Sequence, residues 1–408
     1  MPFHTRDNVS IVTAILPPAT TKSVIDGLFE TGEQNALMFN ARGTLIRNHW
    51  YQSFLPVISP ELEYLQLLVP DNHVDQMIDT IIRLGRLHLP GSGAVYSVPC
   101  ETVEYGDHFN LWSELQDTPS DFNASVNLKE NLTAIFCVVQ EDQVESITRA
   151  AMNAGAHGPV VFFSEGKGLR DRLGWLRITK KTHKEVVTVI VDNIDKIAVT
   201  EAMIDAGRIG LPGRGFLYRM PVDKGLVNLA SQVGNRGYTA NMHQIIAAID
   251  GIQGSTDWRD QSVVELAGAG KGAGIGSFGQ LKQRNWLVDQ MCLGCIVSRK
   301  NADVVLESML VAGASGANVS YAKFLEVEAM TTSTGLRLSR ESGIIRCIIA
   351  RPMIEVVKRA VMQCCEDNEI DDVCTFVQTV GRGITYVAPD HNERMTRGLE
   401  SVTGTEAS

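Results

Sequence analysis

The chain repeats itself, and that constrains its fold more than any other feature. The strings PGSGAVYSVP (90–99), LPGRGFLYRMP (211–221) and VGRGITYVAP (380–389) all fit G-x-G-x-x-Y-x-x-P. The matching residues are Gly91, Gly93, Tyr96 and Pro99, then Gly213, Gly215, Tyr218 and Pro221, then Gly381, Gly383, Tyr386 and Pro389. Recurrence of four fixed positions in three places marks a repeated supersecondary unit rather than a chance turn. A glycine suited to ending a helix precedes each motif: Gly32 by 59 residues, Gly155 by 58 and Gly313 by 68.

Each unit reads in the same order. An apolar β-like run opens it: VSIVTAIL from Val9, LTAIFCVV from Leu132, and the run around WLVDQMCLGCIV from Trp286. A helical segment follows; in the second unit Val144, Ile147, Ala151 and Ala154 recur at helical spacing and Gly155 suits a C-terminal cap. After a second strand and a polar excursion comes a third, strongly apolar strand: YLQLLV from Tyr64, VVTVIV from Val186 and IIRCII from Ile344. A second helix then leads to the glycine motif, whose Tyr-bearing tail is the expected fourth strand. The predicted order is βαββαβ, a ferredoxin-like α+β arrangement, three times in tandem. The units span 1–105, 129–228 and 286–395, with a helical and Gly-rich insertion at 229–285. Within that insertion Met242, Ile245, Ile246 and Ile249 have amphipathic spacing, and the Gly-rich part, 267–280, reads as loop. The acidic stretch EYGDHFNLWSELQDTPSDFN reads as a surface linker between the first two units.

This unit order, with the glycine motif after the second helix, resembles the PII signal-transduction superfamily, whose members carry GDGKIF before a short strand and a proline. The resemblance covers about 300 of the residues. It implies three PII-like units fused in one chain and packed as an intramolecular pseudotrimer. It further implies a non-enzymatic regulatory protein that binds a small anionic effector, with ATP, ADP or AMP as candidates, in clefts between units. Long loops between second and third strands would contact a protein partner, a transporter or a metabolic enzyme. The family's lysine after the second glycine is replaced here by Ala94, Phe216 and Ile384. That departure keeps open the alternative of a structural or assembly protein that has lost nucleotide binding.

Residue chemistry selects the candidates. Glycines let backbone N–H groups converge on phosphate oxygens without Cβ obstruction, which nominates Gly91, Gly93, Gly213, Gly215, Gly381 and Gly383. Arginine holds phosphate or carboxylate through paired hydrogen bonds, which nominates Arg208, Arg214 and Arg382, with Arg86 in the parallel position of the first unit. The excursion of the second unit, SEGKGLRDRLGWLRITKKTHKE, is locally basic on a chain of net charge −10, so Arg170, Arg172, Lys180 and Lys181 are the candidate partner contacts. The corresponding RNHWYQSFLP of the first unit clusters Trp50, Tyr51 and Phe54, which suit either burial or an interface.

Other patterns lead elsewhere. The acidic net charge argues against a general nucleic-acid binder, and no run of eighteen apolar residues predicts a membrane span. The first residues, MPFHTRDNVS, lack the pattern of a secretory signal, so a cytoplasmic location is expected. Eight cysteines, six in the last third, suit reduced thiols better than disulfides. GAGIGSFG formally matches a dinucleotide fingerprint but has no βαβ frame. Cys292 and Cys295 form an isolated C-x-x-C in a predicted strand, where residues three apart point to opposite faces. No metal site and no catalytic constellation is predicted.

Overall fold

The computed structural model describes residues 3–30, 35–44, 60–107, 109, 128–168, 183–229, 284–327 and 337–387. The chain divides into two compact units, Met1–Val233 with Leu287–Ser408, and Gly234–Trp286. All helices and strands among the described residues belong to the first. The amphipathic and Gly-rich stretches of the insertion lie outside the described residues, as do Trp50, Tyr51 and Phe54.

After a short β1 (Phe3–Arg6), the first segment runs β2 (Val9–Leu16), α1 (Pro18–Glu30), β3 (Asn35–Gly43), β4 (Glu61–Pro70), α2 (Val74–Gly85) and β5 (Gly93–Cys100), followed by β6 (Thr102–Gly106). The second runs β7 (Leu132–Val139), α3 (Glu141–Asn153), β8 (Val160–Gly168), β9 (His183–Asp192), α4 (Lys196–Gly207) and β10 (Phe216–Val222), followed by β11 (Lys224–Asn228). The third runs β12 (Gln290–Ser298), α5 (Ala302–Val311), β13 (Gly316–Val327), β14 (Arg337–Ala350), α6 (Ile354–Asp367) and β15 (Cys374–Val380), followed by β16 (Arg382–Thr385). Each segment thus has the βαββαβ order, with its first strand between the third and the fourth, and every named strand pairing is antiparallel. No helix among the described residues is long and apolar enough to cross a membrane.

The pattern that predicted the helices also places their cores. In α3 Val144, Ile147 and Ala151 are buried, and Gly155 follows the helix at φ +104, a left-handed cap that glycine takes without strain. One face of each sheet packs on its own helices: Val24, Ile78 and Ile81 lie in such a core in the first segment, Val305, Val357 and Val361 in the third. The sheets of the three segments are continuous with one another as a single 16-stranded sheet, and their opposite faces share one interior, which holds Tyr64, Tyr96, Phe136, Phe162, Tyr218, Phe324 and Phe376. Burying a large apolar side chain contributes about 1.5–3 kcal/mol, so this shared interior ties the segments together.

Two kinds of strand contact join segments. The second strands, β3, β8 and β13, pair with one another in all three combinations. The short strand after each fourth strand crosses to the fourth strand of another segment: β6 to β15, β11 to β5, and β16 to β10.

Two expectations are corrected, and one strand is added. The stretch read as a linker begins as β6, which is paired on both sides, and its Phe109 is 1% exposed in the shared interior against Phe324. Its polar composition hid the strand, whose Thr102, Glu104 and Tyr105 are only partly buried. The strand β1 was not foreseen; it is four residues long and mostly exposed, too short for a periodic signal. The third glycine motif does not precede the fourth strand: that strand is β15, and Gly381, Arg382 and Gly383 come after it. The spacing carried the warning, since Gly313 precedes the motif by 68 residues where the other two intervals are 58 and 59.

Candidate functional site

The loops between second helix and fourth strand, where the glycine motifs place the site, each lie at a seam with a crossing strand. All three begin alike. Arg86, Arg208 and Glu369 take left-handed φ values of 52°, 51° and 52°. The next residue then donates its N–H back into the helix, Leu87 to Ile82, Ile209 to Ile204 and Ile370 to Cys365. This is the Schellman closure, with the apolar residue buried as its anchor. Arg86, Arg208 and Glu369 therefore stand at corresponding places, and the likeness of the third loop to the other two ends there.

In the second segment the chain makes two further tight turns, Leu211 N–H to Arg208 and Arg214 N–H to Leu211, before Gly215 enters β10. Gly213 has φ +74 and Gly215 φ +116. A Cβ on Gly215 would lie 2.3 Å from the Val138 carbonyl oxygen, so glycine is required there by packing before any ligand is considered. Strand β16 of the third segment runs alongside, and Thr385 Oγ1 donates to the Gly215 carbonyl at 3.1 Å. Three residues further along, Arg219 and Arg382 are direct partners across the strands. Arg219 loses basicity through burial first and the neighbouring Arg382 charge second, while Glu201 acts in the opposite sense. Arg208 and Arg382 are exposed and Arg214 half-buried, and among the described residues none of the three forms a salt bridge. The seam between β10 and β16 is a cationic edge assembled from two segments.

The seam between β5 and β11 has the same backbone but is closed. Gly91 and Gly93 have φ of +80° and +138°, and a Cβ on Gly93 would lie 2.1 Å from the Ile15 carbonyl oxygen. The Gly91 N–H donates to the Asn228 carbonyl at 2.7 Å, and Asn228 Nδ2 donates to the Leu87 carbonyl at 2.5 Å. By register Lys224, opposite Ser97, corresponds to Arg382, and it is paired with Asp75 at 2.7 Å. The Gly91 N–H and the cation of the crossing strand are both already used, and Arg86, the exposed counterpart of Arg208, is the cation left on this loop.

The seam between β15 and β6 has no glycine turn. Its loop reaches β15 through Asp371 and Asp372, and the Gly106 N–H of β6 donates to the Val373 carbonyl at 2.9 Å. Asp372 pairs with Arg340 at 3.0 Å, and Lys358 pairs with Glu104 at 2.9 Å across the two segments. Burial pushes the Asp372 carboxyl up, with Arg340 opposing.

The nine candidate ligand residues therefore separate. Arg208, Gly213, Arg214 and Gly215 share one seam with Arg382. Gly91 and Gly93 lie at another, tied by Asn228. Gly381 and Gly383 form no anion nest: their N–H groups donate to the Arg219 and Leu287 carbonyls at 2.8 and 3.0 Å. The candidate partner contacts Arg170, Arg172, Lys180 and Lys181 lie outside the described residues. Arg219, Lys224 and Asn228 were missed because each matters only through a segment distant in sequence. Cys292 and Cys295 are fully buried on opposite faces of β12, the first in the shared interior and the second under the helices. Among the described residues no cluster of His, Cys, Asp and Glu could hold a metal ion.

No protein-family model matches the chain, and no curated protein matches it in sequence. Among solved structures it is similar to a PII protein of Arabidopsis thaliana bound to citrate, at 20% identity over 23% of this chain and 76% of that one, with a TM-score of 0.19. It is also similar to an unknown protein from Galdieria sulphuraria, at 12% identity over 63% of this chain and 99% of that one, with a TM-score of 0.17. Similarities this low carry no argument about ligand or activity.

Proposed function

We propose that the chain is a non-enzymatic, PII-like regulatory protein. Its three ferredoxin-like units, 1–105, 129–228 and 286–395, form an intramolecular pseudotrimer, with 229–285 as an insertion. The closed exchange of crossing strands supports this reading: the first segment lends β6 to the third, the third lends β16 to the second, and the second lends β11 to the first. One small anionic effector, an adenine nucleotide in the first instance, binds at the seam between β10 and β16. The observation that carries it is the grouping along that seam of Arg208 and Arg214 from one segment and Arg382 from another, none salt-bridged among the described residues, while the corresponding Lys224 is neutralised by Asp75. Guanidinium groups without carboxylate partners are matched to phosphate or carboxylate oxygens. Effector binding would order the seam and shift the affinity of the long loops for a protein partner.

Calorimetric titration of the full chain with ATP, ADP, AMP and citrate tests the proposal. One site per chain is expected, weakened about tenfold in Arg214→Ala. No heat with any of the four, and no change in melting temperature, would overturn it. That outcome would favour a structural or assembly role, for which Phe216 in the family's lysine position and the Asn228 closure of the first loop are the supporting observations.

A further inference from the structure

The interior shared by the three sheets contains an arginine. Arg346 of β14 is 9% exposed, and its Nη2 donates to Gln66 Oε1 of β4 at 2.6 Å. The strand registers put it in a row that recurs in each segment. Tyr96, Thr13 and Gln66 lie side by side on β5, β2 and β4; Tyr218, Phe136 and Thr188 on β10, β7 and β9; Phe376, Gly294 and Arg346 on β15, β12 and β14. All three rows face inward, because neighbours two residues away on the same strands line the common core. Gln66, Thr188 and Arg346 are thus corresponding positions, and only the third segment places a permanent charge there.

No described carboxylate pairs with it. Among the described residues, Arg346 forms no salt bridge. Among the described titratable groups, Tyr64, Tyr96, Tyr218 and Cys292 feel its charge. Burial raises all three phenols, and the Tyr64 and Tyr96 hydroxyls hydrogen-bond each other at 2.6 Å. Burial likewise pushes the Cys292 thiol up to about 11. At neutral pH every one of these groups is uncharged, so none serves as a counter-ion. A buried guanidinium with only neutral neighbours carries a desolvation penalty, which an anion in contact with it would offset. Donors without partners lie on the same inward faces: the hydroxyls of Thr188, which is 0% exposed, and of Ser320, diagonal to Arg346 on β13, are buried and unpaired. A hydroxyl and a guanidinium both donate, so they suit the same anion.

We propose that Arg346 anchors an internal site for a small monovalent inorganic anion of the halide class, enclosed where the three sheets meet and separate from the seam between β10 and β16. The ion neutralises the guanidinium and so contributes to holding the three segments together.

The full chain tests this after exchange into potassium gluconate. Replacing gluconate by chloride or bromide at constant ionic strength is expected to raise the melting midpoint by about 2 °C or more, by binding the folded state only. Arg346→Met, close in length and uncharged, is expected to abolish that dependence. In crystals of the native chain grown with bromide, the anomalous signal is expected within hydrogen-bond distance of the Arg346 guanidinium, a readout that stands even if the variant does not fold. A midpoint indifferent to halide, an equal halide effect in Arg346→Met, or bromide sites that avoid Arg346 would each overturn the proposal.

Discussion

The seam where β16 lies on β10 and the seam where β6 lies on β15 are made from corresponding strands, yet their charges are arranged in opposite ways. In the first, a glycine turn with Arg208 and Arg214 meets Arg382, and arginine faces arginine across the strands. In the second, the loop is acidic and shorter, Asp372 is matched by Arg340, and Glu104 of the crossing strand is matched by Lys358. The third seam, with Gly91 and Asn228, keeps the glycine turn but has closed it. A homotrimer would carry one seam three times. A single chain lets one seam specialise in electrostatics while the others specialise in cohesion, since ion pairs across segments stabilise and unmatched cations leave room for a ligand.

The sharpest way to break this comparison is at the glycines. Gly215→Ala is expected to cost about 3 kcal/mol or more, because it adds a Cβ 2.3 Å from a carbonyl oxygen at a φ of +116°. Gly381→Ala, whose Cβ would meet nothing nearer than 3.7 Å, is expected to change little. Denaturant unfolding of the two variants reads the difference, and equal losses would mean that the third motif is a structural turn after all.

The cohesive seam is probed by Glu104→Gln. Lys358 and Glu104 are 12% and 17% exposed, and the substitution leaves Lys358 with only the exposed Glu355, so a loss of about 2 kcal/mol is expected in the same measurement. At the cationic seam, Arg382→Ala is expected to weaken effector binding about tenfold, about 1.4 kcal/mol, without loss of stability. Thr102→Ala, at the corresponding place in β6, should leave binding unchanged in parallel titrations.

The smallest effect concerns pH. Hydrogen bonds from Arg351 hold the Glu101 carboxyl below its usual 4.5, with burial opposing and Thr379 assisting. A depressed carboxylate contributes stability above the unfolded value that is lost as pH falls through the folded one. Urea midpoints at pH 7 and pH 3 should therefore differ slightly less in Glu101→Gln than in the native chain. The difference should stay under about 1 kcal/mol, because the pair is exposed to solvent.

The elements were legible where periodicity was strong. The runs VSIVTAIL and LTAIFCVV are β2 and β7 to the residue, and the apolar cores of YLQLLV, VVTVIV and IIRCII lie inside β4, β9 and β14. The site was less legible. The motif at 381–389 matched the other two at all four pattern positions, yet a string records neighbours along the chain, and its strand partner Arg219 lies 163 residues before Arg382. The true counterpart of the other turns, Glu369 to Val373, kept the αL cap but none of the glycines, so no string could reveal it.

What the sequence determined by itself is local: the βαββαβ order of the first two segments and all but the last strand of the third, the helix ends before Gly155 and Gly313, and which face of each strand is apolar. These depend on side-chain period and backbone preference, which act over a few residues. Only the tertiary structure decided which seam brings Arg208, Arg214 and Arg382 together without a salt bridge among the described residues, which glycine turn Asn228 closes, and that Arg346 of a strongly apolar strand is buried among neutral tyrosines. Those outcomes depend on charge and hydrogen-bond partners that folding brings together from different segments.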